Sequence, residues 1–384
     1  MPWNGGGVVE VRKLFVTRVL RGGISVKDAC GEFNITRACG HKWLRRFIED
    51  GLSGFDDRSR RPLRVRSETA FSLVTLILSE RNVHPAWGAR KIGKRLEVLG
   101  FHPPAERTIN RILSRHDLIR RRVKAKLPPQ HFERSTPNEL WQMDHKASIW
   151  GRWRSRSVPF LVVDDCSRFL LTLVSLPSKG LAPTWDCLWA VFGEFGLPEQ
   201  ILSDNDIVFA GRIGPSQLES RLLRLGIEVL HGRPRHPQTQ GKVERLNGTL
   251  AAELLRDGDF ESARDLQAGF DHFRSEYNYI RPHEALDLAV PGSRYIPSPR
   301  RRPERLPMME YCSGALLRKV DSKGRIRWSG AGFDVGRGLA GEWVEVRSGE
   351  NCYEVYYGAY RILGFGDGIE RRHRSYRRLS EIQI

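Results

Sequence analysis

The sequence predicts a multidomain chain with an all-α amino-terminal region, an α/β core built on a mixed sheet, and a small all-β barrel. Three observations predict this order. Helical periodicity broken by glycines dominates residues 9–122, strand and helix patterns alternate over residues 138–290, and short glycine-bounded strands follow over residues 315–365. With 384 residues the chain has room for two to four domains with proper cores.

The charge of the chain is strongly positive but unevenly distributed. The net charge is +18, made up of +15 over residues 1–135, −4 over residues 136–290 and +7 over residues 291–384. A surface of this kind attracts polyanions. An acidic centre between basic flanks is unusual for a simple repressor and suits a metal-dependent enzyme that acts on nucleic acid.

The cysteine pattern and the apolar content exclude several classes of protein. The six cysteines are scattered and form no C-x-x-C pair, so we expect free thiols in a reducing cytoplasm and no zinc site. The first residues have no signal-peptide pattern, and no apolar run is long enough to span a membrane. We therefore expect a cytoplasmic protein without a membrane partner.

Residues 1–55 are predicted to form a helix-turn-helix domain. Gly22-Gly23 ends a first amphipathic helix, Ser25 to Asp28 has the form of a capping box, and a third helix starts after Thr36. The predicted inward side chains of the first and third helices are Val11, Leu14, Phe15, Val19, Leu20, Trp43, Leu44 and Phe47. Helix, short turn and helix is the layout whose second helix enters the DNA major groove. A plain helical bundle with a charged face remains an alternative.

The basic side chains of the third helix are candidate DNA contacts. Arg37, His41 and Lys42 lie near its start, where base edges are read, and we predict that they contact bases. Arg45 and Arg46 lie later in the helix and are predicted to contact phosphates.

A basic linker is predicted over residues 56–66. Arg58, Arg60 and Arg61 in this linker suit an extended arm that follows a minor groove or the phosphates. A solvated hinge is the alternative for this segment.

Residues 67–127 are predicted to form a second helix-turn-helix domain. Its third helix carries Arg107, Asn110 and Arg111 on the face opposite Ile109 and Ile112. This pattern is that of a second reading helix, and two such domains would cover a long DNA site.

Residues 128–297 are predicted to form the α/β core. Three antiparallel-type strands are followed by alternating strands and helices, which is the ribonuclease-H-like arrangement of a mixed sheet. In that arrangement the centre of the first strand and the end of the fourth strand lie side by side.

Three carboxylates are the candidate catalytic and metal-binding residues of this core. Asp144 lies in the first predicted strand, Asp204 at the end of a short apolar strand, and Glu244 in the first turn of a helix. Oxygen ligands of this kind suit Mg²⁺ or Mn²⁺ rather than zinc. Two such ions about 3.5–4 Å apart can clamp the attacking and leaving oxygens of a phosphoryl transfer. We predict that Asp164 and Asp165 are turn formers and not ligands.

The helix that carries Glu244 has a regular apolar stripe. Val243, Leu246, Leu250 and Leu254 share one face, and Glu244 lies at its border. A carboxylate there can reach the strand ends of a sheet beneath the helix. Stabilisation of the helix dipole is the alternative role for Glu244.

Residues 298–384 are predicted to hold a basic linker, a small β-barrel and a basic tail. Alternating patterns over residues 341–347 and 353–357 are typical of short strands. The barrel could bind DNA, contact another subunit, or do both.

The acidic motifs, taken together, are similar to those of a known protein family. The chain resembles the integrase-core DDE transposases of bacterial insertion sequences, which are relatives of retroviral integrases. The motifs are Trp141-Gln-Met-Asp144, Leu202-Ser-Asp204-Asn, His236-Pro-Gln-Thr-Gln-Gly-Lys-Val-Glu244-Arg and Tyr277-Asn-Tyr-Ile-Arg-Pro-His-Glu-Ala-Leu. The tandem helix-turn-helix start and the small barrel also look like family features, so the likeness covers nearly the whole chain.

The resemblance implies an activity, cofactors and partners. It implies an enzyme that recognises the terminal inverted repeats of an insertion sequence in double-stranded DNA, cleaves them, and joins the freed 3′-hydroxyls to target DNA. Two Mg²⁺ ions, replaceable by Mn²⁺, would be held by the three acids. Gln240, Lys242 and Arg245 are candidates for holding phosphates or terminal bases. The reaction joins two ends, so we expect at least a dimer on DNA, associated with a bacterial nucleoid.

One position departs from the family pattern. Asp206 stands where the family usually has glycine after Asp-Asn, and an added carboxylate there would alter the turn or the metal preference. Two other functions remain open from the sequence. One is a ribonuclease-H-type nuclease without strand transfer, and the other is a DNA-binding regulator with an inactive catalytic domain.

Overall fold

The computed structural model describes residues 7–58, 69–119, 133–150, 156–204, 208–211, 213–232, 241–256, 258–349, 352–366 and 369–372. The chain divides into two compact units, Met1–Glu68 and Thr69–Ile384. Among the residues within these ranges, no helix is both long enough and apolar enough to cross a membrane. The predicted linkers and tail at residues 59–68, 120–132 and 373–384 lie outside the described residues.

The first unit is a small helical module with one core. It contains α1 (Val8–Leu20), α2 (Val26–Glu32), α3 (Arg37–Asp50) and a short 3-10 helix (Gly51–Phe55). The Ser25 and Thr36 side chains cap α2 and α3 by accepting bonds from the Asp28 and Cys39 amides. The buried apolar residues are Val11, Phe15, Val16, Ala29, Cys30, Trp43 and Phe55. This confirms the predicted three-helix order.

The predicted core of α1 needs a correction. Leu14 and Leu20 are both 59 % exposed, whereas Val16 is buried beside Phe15. A helix in a three-helix module buries only one stripe, and at about 100° per residue Leu14 lies roughly 110° from the centre of the stripe formed by Val11, Phe15 and Val16.

The second unit begins with another helical module. It contains α4 (Phe71–Val83), α5 (Ala89–Val98) and α6 (Glu106–Arg115). Ile77, Trp87, Ile92, Leu96 and Ile109 are among its buried residues, and Ile280 from the end of the α/β core packs against them. His84 Nδ1 lies 2.7 Å from Glu276 Oε1, which ties this module to the core.

The core contains the predicted mixed sheet. Its strands are β1 (Leu140–His145), β2 (Ile149–Trp150), β3 (Arg156–Asp164), β4 (Leu170–Leu176), β5 (Gln200–Ser203) and β6 (Glu228–His231). Their order is β2-β3-β1-β5-β6, with β4 paired to β3. The β1–β3 and β3–β4 pairs are antiparallel, whereas β1–β5 and β5–β6 are parallel. β1 ends at His145, and residues 146–148 separate it from β2.

Helices cover both faces of this sheet. They are α7 (Leu181–Phe195), α8 (Gln217–Arg224), α9 (Gly241–Leu250), continued by a π-helical turn (Ala251–Leu255), and α10 (Ala263–Tyr279). Phe160 and Val162 of β3 belong to the cluster that includes α7 and α8 residues. Leu161 and Val163 belong to the cluster formed with α9 and α10. This alternation is the two-residue period of a strand buried on both faces.

The end of the chain is all-β, as predicted, but it is not seen as a closed barrel. The strands are β7 (Leu317–Lys319), β8 (Arg325–Trp328), β9 (Ala331–Asp334), β10 (Trp343–Ser348), β11 (Tyr353–Tyr357), β12 (Tyr360–Gly366) and β13 (Ile369–Arg372). Five of them form a sheet in the order β13-β12-β11-β10-β7, and β8 and β9 form a separate hairpin. Within the described residues the edge strands β7 and β13 do not pair, so the sheet stays open.

Candidate active site

Two of the three predicted acids lie at the carboxyl ends of adjacent strands. The parallel register of β1 and β5 ends with Gln142 opposite Leu202, and Asp144 and Asp204 each follow two residues later. Neighbouring strands are about 4.8 Å apart, and residues two apart share a face. Continued by two residues beyond its last pair, this register puts Asp144 and Asp204 on the same side of the sheet.

That side is the one covered by α9. Asp144 is the register partner of Leu161 in β3. Leu161 packs in one cluster with Val243 and Leu246 of α9. The side chains of Asp144 and Leu161 share a face, so Asp144 lies beneath or beside the helix that carries Glu244.

Asp144 is held directly by α9. Asn247 Nδ2 donates a hydrogen bond of 2.8 Å to Asp144 Oδ2. Burial raises the pKa of the Asp144 carboxyl, against the lowering effects of the Asn247 bond and of nearby Lys179 and Lys146. A carboxylate with a raised pKa binds a cation in competition with a proton.

Glu244 lies one helical turn before Asn247 and is exposed. Val243, Leu246 and Leu250 are buried, as the predicted stripe required. Within the described residues no three His, Cys, Asp or Glu side chains stand close enough to hold one metal ion. The predicted meeting of all three acids at one point is therefore not confirmed, because the side chain of Glu244 is exposed and joins no such group.

The donors gathered at this edge suit a hard cation. Asp144 and Asp204 supply carboxylate oxygens, and Asn247 Oδ1 is buried without a hydrogen-bond partner in the described part of the chain. Oxygen donors of this kind are those that Mg²⁺ and Mn²⁺ prefer. The chemistry of the residues present thus fits a divalent metal.

Asp164 forms a turn, as predicted. Its buried carboxylate accepts bonds from the Asn138 amide at 2.8 Å, the Ser167 amide at 2.7 Å and the Ser167 hydroxyl at 2.6 Å. These bonds close the connection between β3 and β4.

Asp165 does more than form a turn. Its fully buried carboxylate accepts bonds from the Arg134 amide at 2.8 Å and from Gln142 Nε2 at 2.6 Å. It also pairs with Lys242 Nζ at 2.5 Å. The Lys242 ammonium, predicted to hold DNA, is thus engaged inside the protein, and its predicted DNA contact is not tested by this arrangement.

A buried Glu–His pair borders Asp204. His231 Nε2 lies 2.7 Å from Glu219 Oε1, and both side chains are nearly inaccessible. His231 Nδ1 lies 3.3 Å from Ser203 Oγ and 3.4 Å from the Asp204 carbonyl oxygen. Sequence reasoning missed this pair because nothing in the local pattern distinguishes His231 from an ordinary strand end.

The Tyr277–Leu286 segment has a structural role in this fold. Asn278 bonds both the amide and the carbonyl of Leu170 in β4, at 2.8 and 3.0 Å. Arg281 pairs with Glu253 of the π-helical turn at 3.1 Å. Burial and the neighbouring Arg281 lower the pKa of His283 to about 2, so this imidazole is neutral. The segment fixes α10 to the sheet and to the end of α9.

The predicted DNA contacts are mostly exposed. Arg46 is half-buried, and its guanidinium lies 4.9 Å from the Trp43 ring centroid. Arg58 pairs with Asp50. The exposed candidates are Arg37, His41, Lys42, Arg45, Arg58, Arg107, Asn110, Arg111 and Arg245. Arg60, Arg61, Gln240, His236 and Asp206 lie outside the described residues.

Four protein-family models match the helical modules and the α/β core of this chain. Two integrase core domain models match residues 134–237 and 225–291. A helix-turn-helix domain model matches residues 11–62, and a homeodomain-like domain model matches residues 39–113. The chain thus carries an integrase core domain over residues 134–291 and helix-turn-helix domains ahead of it.

Two curated relatives resemble this integrase-core chain over part of their length. An uncharacterized 39.2 kDa protein of insertion element IS476 from Xanthomonas euvesicatoria is 28% identical over 227 residues, covering 57% of this chain and 64% of the relative. The putative transposase y4bF of Sinorhizobium fredii is 27% identical over 231 residues, covering 56% of this chain and 49% of the relative. The chain thus spans about half of one relative and less than two thirds of the other.

Solved structures of viral integrases also resemble this integrase-core chain. A simian T-cell lymphotropic virus intasome bound to a PP2A regulatory subunit gives a TM-score of 0.38 at 15% identity, over 80% of this chain and 98% of that one. The HTLV-2 integrase catalytic core with magnesium gives 0.30 at 19% identity, over 38% of this chain and 89% of that one. Both TM-scores are below 0.5, too low to support an inference about this chain.

Proposed function

We propose that this chain is a DNA transposase that recognises the ends of an insertion sequence, cleaves them by metal-dependent phosphodiester hydrolysis, and joins the 3′-hydroxyl ends to target DNA. One observation carries the proposal. Asp144 and Asp204 each follow the last register pair of the parallel strands β1 and β5 by two residues, and Asn247 of α9 donates a hydrogen bond to Asp144. Glu244 lies one turn before Asn247 on the same helix, and in this proposal its exposed side chain supplies the third carboxylate.

Asp144, Asp204 and Glu244 are the proposed catalytic and metal-binding residues. They would hold two Mg²⁺ ions, with Mn²⁺ as a substitute, because all their donors are carboxylate oxygens. Bound there, the metal supplies charge stabilisation for the attacking and leaving oxygens of phosphoryl transfer.

Neighbouring side chains orient Asp144 and hold the strand end at Asp204. Asn247 holds one oxygen of Asp144 and so limits rotation of this carboxylate. Burial raises the pKa of the Asp144 carboxyl, which makes its charged form more dependent on a bound cation. His231 and Glu219 brace the strand end at Ser203 and Asp204.

The helix-turn-helix regions are the proposed DNA-reading parts. Arg107, Asn110 and Arg111 form an exposed face on α6, opposite the buried Ile109 and Ile112. Arg37, His41 and Lys42 form a comparable exposed group on α3. We propose that both helices contact the terminal repeats and that Arg45, Arg46 and the arginines of the 56–66 linker contact phosphates.

The arrangement of domains and subunits follows from the same proposal. We propose domains at residues 1–55, 67–127, 128–297 and 298–384, with the basic linker at residues 56–66. Joining two ends requires two active sites on one DNA complex, so we propose at least a dimer on DNA, acting at a bacterial nucleoid.

A strand-transfer assay tests the proposed function. The protein is mixed with Mg²⁺ or Mn²⁺, labelled element ends and a plasmid target, and the products are separated by size. Joined product supports the transposase. Cleavage without joining indicates a nuclease, and metal-independent retention of DNA without cleavage indicates a regulator. The Asp144→Asn variant is the control, since it should abolish joining and leave DNA retention nearly unchanged.

A further inference from the structure

The buried carboxylate of Asp165 connects three separate parts of the core. It accepts bonds from the Arg134 amide ahead of β1, from the Gln142 side chain in β1, and from the Lys242 ammonium in α9. Lys242 Nζ also donates to the Asp165 carbonyl oxygen at 3.1 Å. A turn former needs none of these long-range bonds, so Asp165 has a second role.

Two of those partners stand next to proposed catalytic acids. Gln142 precedes Asp144 by two residues in β1, and Lys242 precedes Glu244 by two residues in α9. The Asp165 carboxylate therefore binds both the strand that carries one acid and the helix that carries another.

The rotation of α9 about its own axis is set by bonds on both of its sides. Its buried stripe is Val243, Leu246 and Leu250. At 100° per residue, Lys242 lies about 70° to one side of this stripe and Asn247 about 70° to the other. Lys242 bonds Asp165 and Asn247 bonds Asp144, so the helix is attached to the sheet at both edges of its apolar face.

These attachments determine the direction in which Glu244 points. Glu244 lies about 60° beyond Asn247 around the helix, on the side of Asp144. Apolar packing alone permits the helix to roll and slide, because it is non-directional. The Lys242–Asp165 ion pair and the Asn247–Asp144 hydrogen bond lie on opposite edges of that face, and together they restrict both motions.

We propose that the Asp165–Lys242 ion pair positions α9 so that Glu244 can join Asp144 and Asp204 in holding the metal. Asp165 and Lys242 are thus positioning residues, and neither touches metal or DNA in this role. The inference rests on the proposed function. It replaces the predicted phosphate contact of Lys242 with a contact inside the protein.

Direct metal binding tests this inference without DNA or turnover. The variants are Asp165→Asn, Lys242→Met and the double variant, and Mn²⁺ binding to the DNA-free protein is measured by electron paramagnetic resonance. Groups that orient metal ligands typically contribute 10- to 100-fold in affinity, so we expect about tenfold or more weaker Mn²⁺ binding in each variant. We expect no further loss in the double variant, because both changes break one interaction.

The double variant distinguishes a role of the ion pair in positioning α9 from a role in the stability of the protein. Removing one partner leaves a buried charge unpaired, whereas removing both leaves none, so the double variant should melt near the wild-type temperature. A folded double variant with weak Mn²⁺ binding supports the proposal. A folded double variant with wild-type Mn²⁺ binding overturns it.

Two further measurements complete the test. Retention of element-end DNA should be unchanged in all three variants, and loss of retention in Lys242→Met alone would show a phosphate contact instead. The control is Arg12→Met, which breaks the pair of the buried Arg12 with Asp57 in the first compact unit and should leave Mn²⁺ binding unchanged. If the wild-type protein itself binds no Mn²⁺, the proposed function fails and this inference fails with it.

Discussion

Asn247 donates a 2.8 Å hydrogen bond to the carboxylate of Asp144, across 103 positions of sequence. This bond joins a helix to the strand end at which Asp204 also lies. In the proposed function, it is the contact between the helix that carries Glu244 and the strand that carries Asp144.

Loss of the Asn247 bond should weaken metal use without affecting DNA binding. We expect Asn247→Ala to lower the joining rate about 10- to 100-fold and to raise the Mn²⁺ concentration at half-maximal rate, because Asp144 loses its orienting partner. The rate is measured by strand transfer across a Mn²⁺ series. Thr249→Ala is the matched control on the same helix, since the Thr249 hydroxyl donates to the Arg245 carbonyl of that helix, at 3.0 Å. Equal rates in Asn247→Ala and wild type would contradict the prediction.

The raised pKa of Asp144 predicts a pH-dependent stability in metal-free protein. The folded state holds the Asp144 proton more tightly than the unfolded state, because burial disfavours the charge. Its contribution to stability is therefore present at acidic pH and is lost as the pH rises through the raised pKa. We expect Asp144→Asn to be more stable than wild type above that pKa and equal to it in acid.

Urea unfolding with a chelator present, in buffers from acidic to mildly alkaline, checks this expectation. A stability difference that widens towards acidic pH would have the wrong sign for a raised pKa. Added Mn²⁺ should reverse the order at neutral pH, since only the wild-type carboxylate can bind the ion.

The Arg281–Glu253 pair should contribute mainly to stability. Their side chains are only 10% and 13% exposed. Removing one partner leaves the other charge buried, so we expect Glu253→Gln to lower the free energy of unfolding by about 3 kcal/mol. Urea unfolding measures the change. The double variant Arg281→Met with Glu253→Gln should recover much of the loss, and a double variant as unstable as the single would contradict this explanation.

The Glu219 carboxylate should stabilise the strand end that carries Asp204. It accepts bonds from the Gly211 amide at 2.9 Å and the Ser216 amide at 2.6 Å, and it faces His231. Bonds to a buried charge contribute about 1.5–3 kcal/mol, so Glu219→Gln should destabilise the protein by about 2 kcal/mol. Chemical unfolding measures this change. Gln217→Ala, on the exposed face of the same helix, should have no comparable effect, and equal losses would argue against a specific role for Glu219.

The two kinds of DNA contact should respond differently to substitution. We expect Arg107→Ala to weaken binding of element ends by about 1–3 kcal/mol and to leave binding of unrelated DNA nearly unchanged. We expect Arg45→Ala to weaken both equally and to reduce the salt dependence by about one phosphate contact. Mobility-shift titrations over a salt series distinguish these outcomes. Equal loss on both DNAs in Arg107→Ala would assign it to phosphate contact.

The sequence by itself determined the order of elements, and it predicted three acidic positions. The apolar stripe of Val243, Leu246 and Leu250 and the separation of Ile109 from Arg107 are local periodicities, and both are found in the structure. The strand ends at Asp144 and Asp204 follow from short apolar runs that stop at acids. The periodicity did not predict that Leu14 is exposed, because the centre of the buried face of α1 depends on how the neighbouring helices pack.

Only the tertiary structure decided which side chains act on those acids. Asn247 reaches Asp144 over 103 positions, and Lys242 reaches Asp165 over 77. Periodicity reports which face of an element is buried, but it carries no information on which polar group of a distant element lies opposite. Those pairings form only when β1, the β3–β4 turn and α9 pack together, and that packing determines the direction in which each carboxylate points.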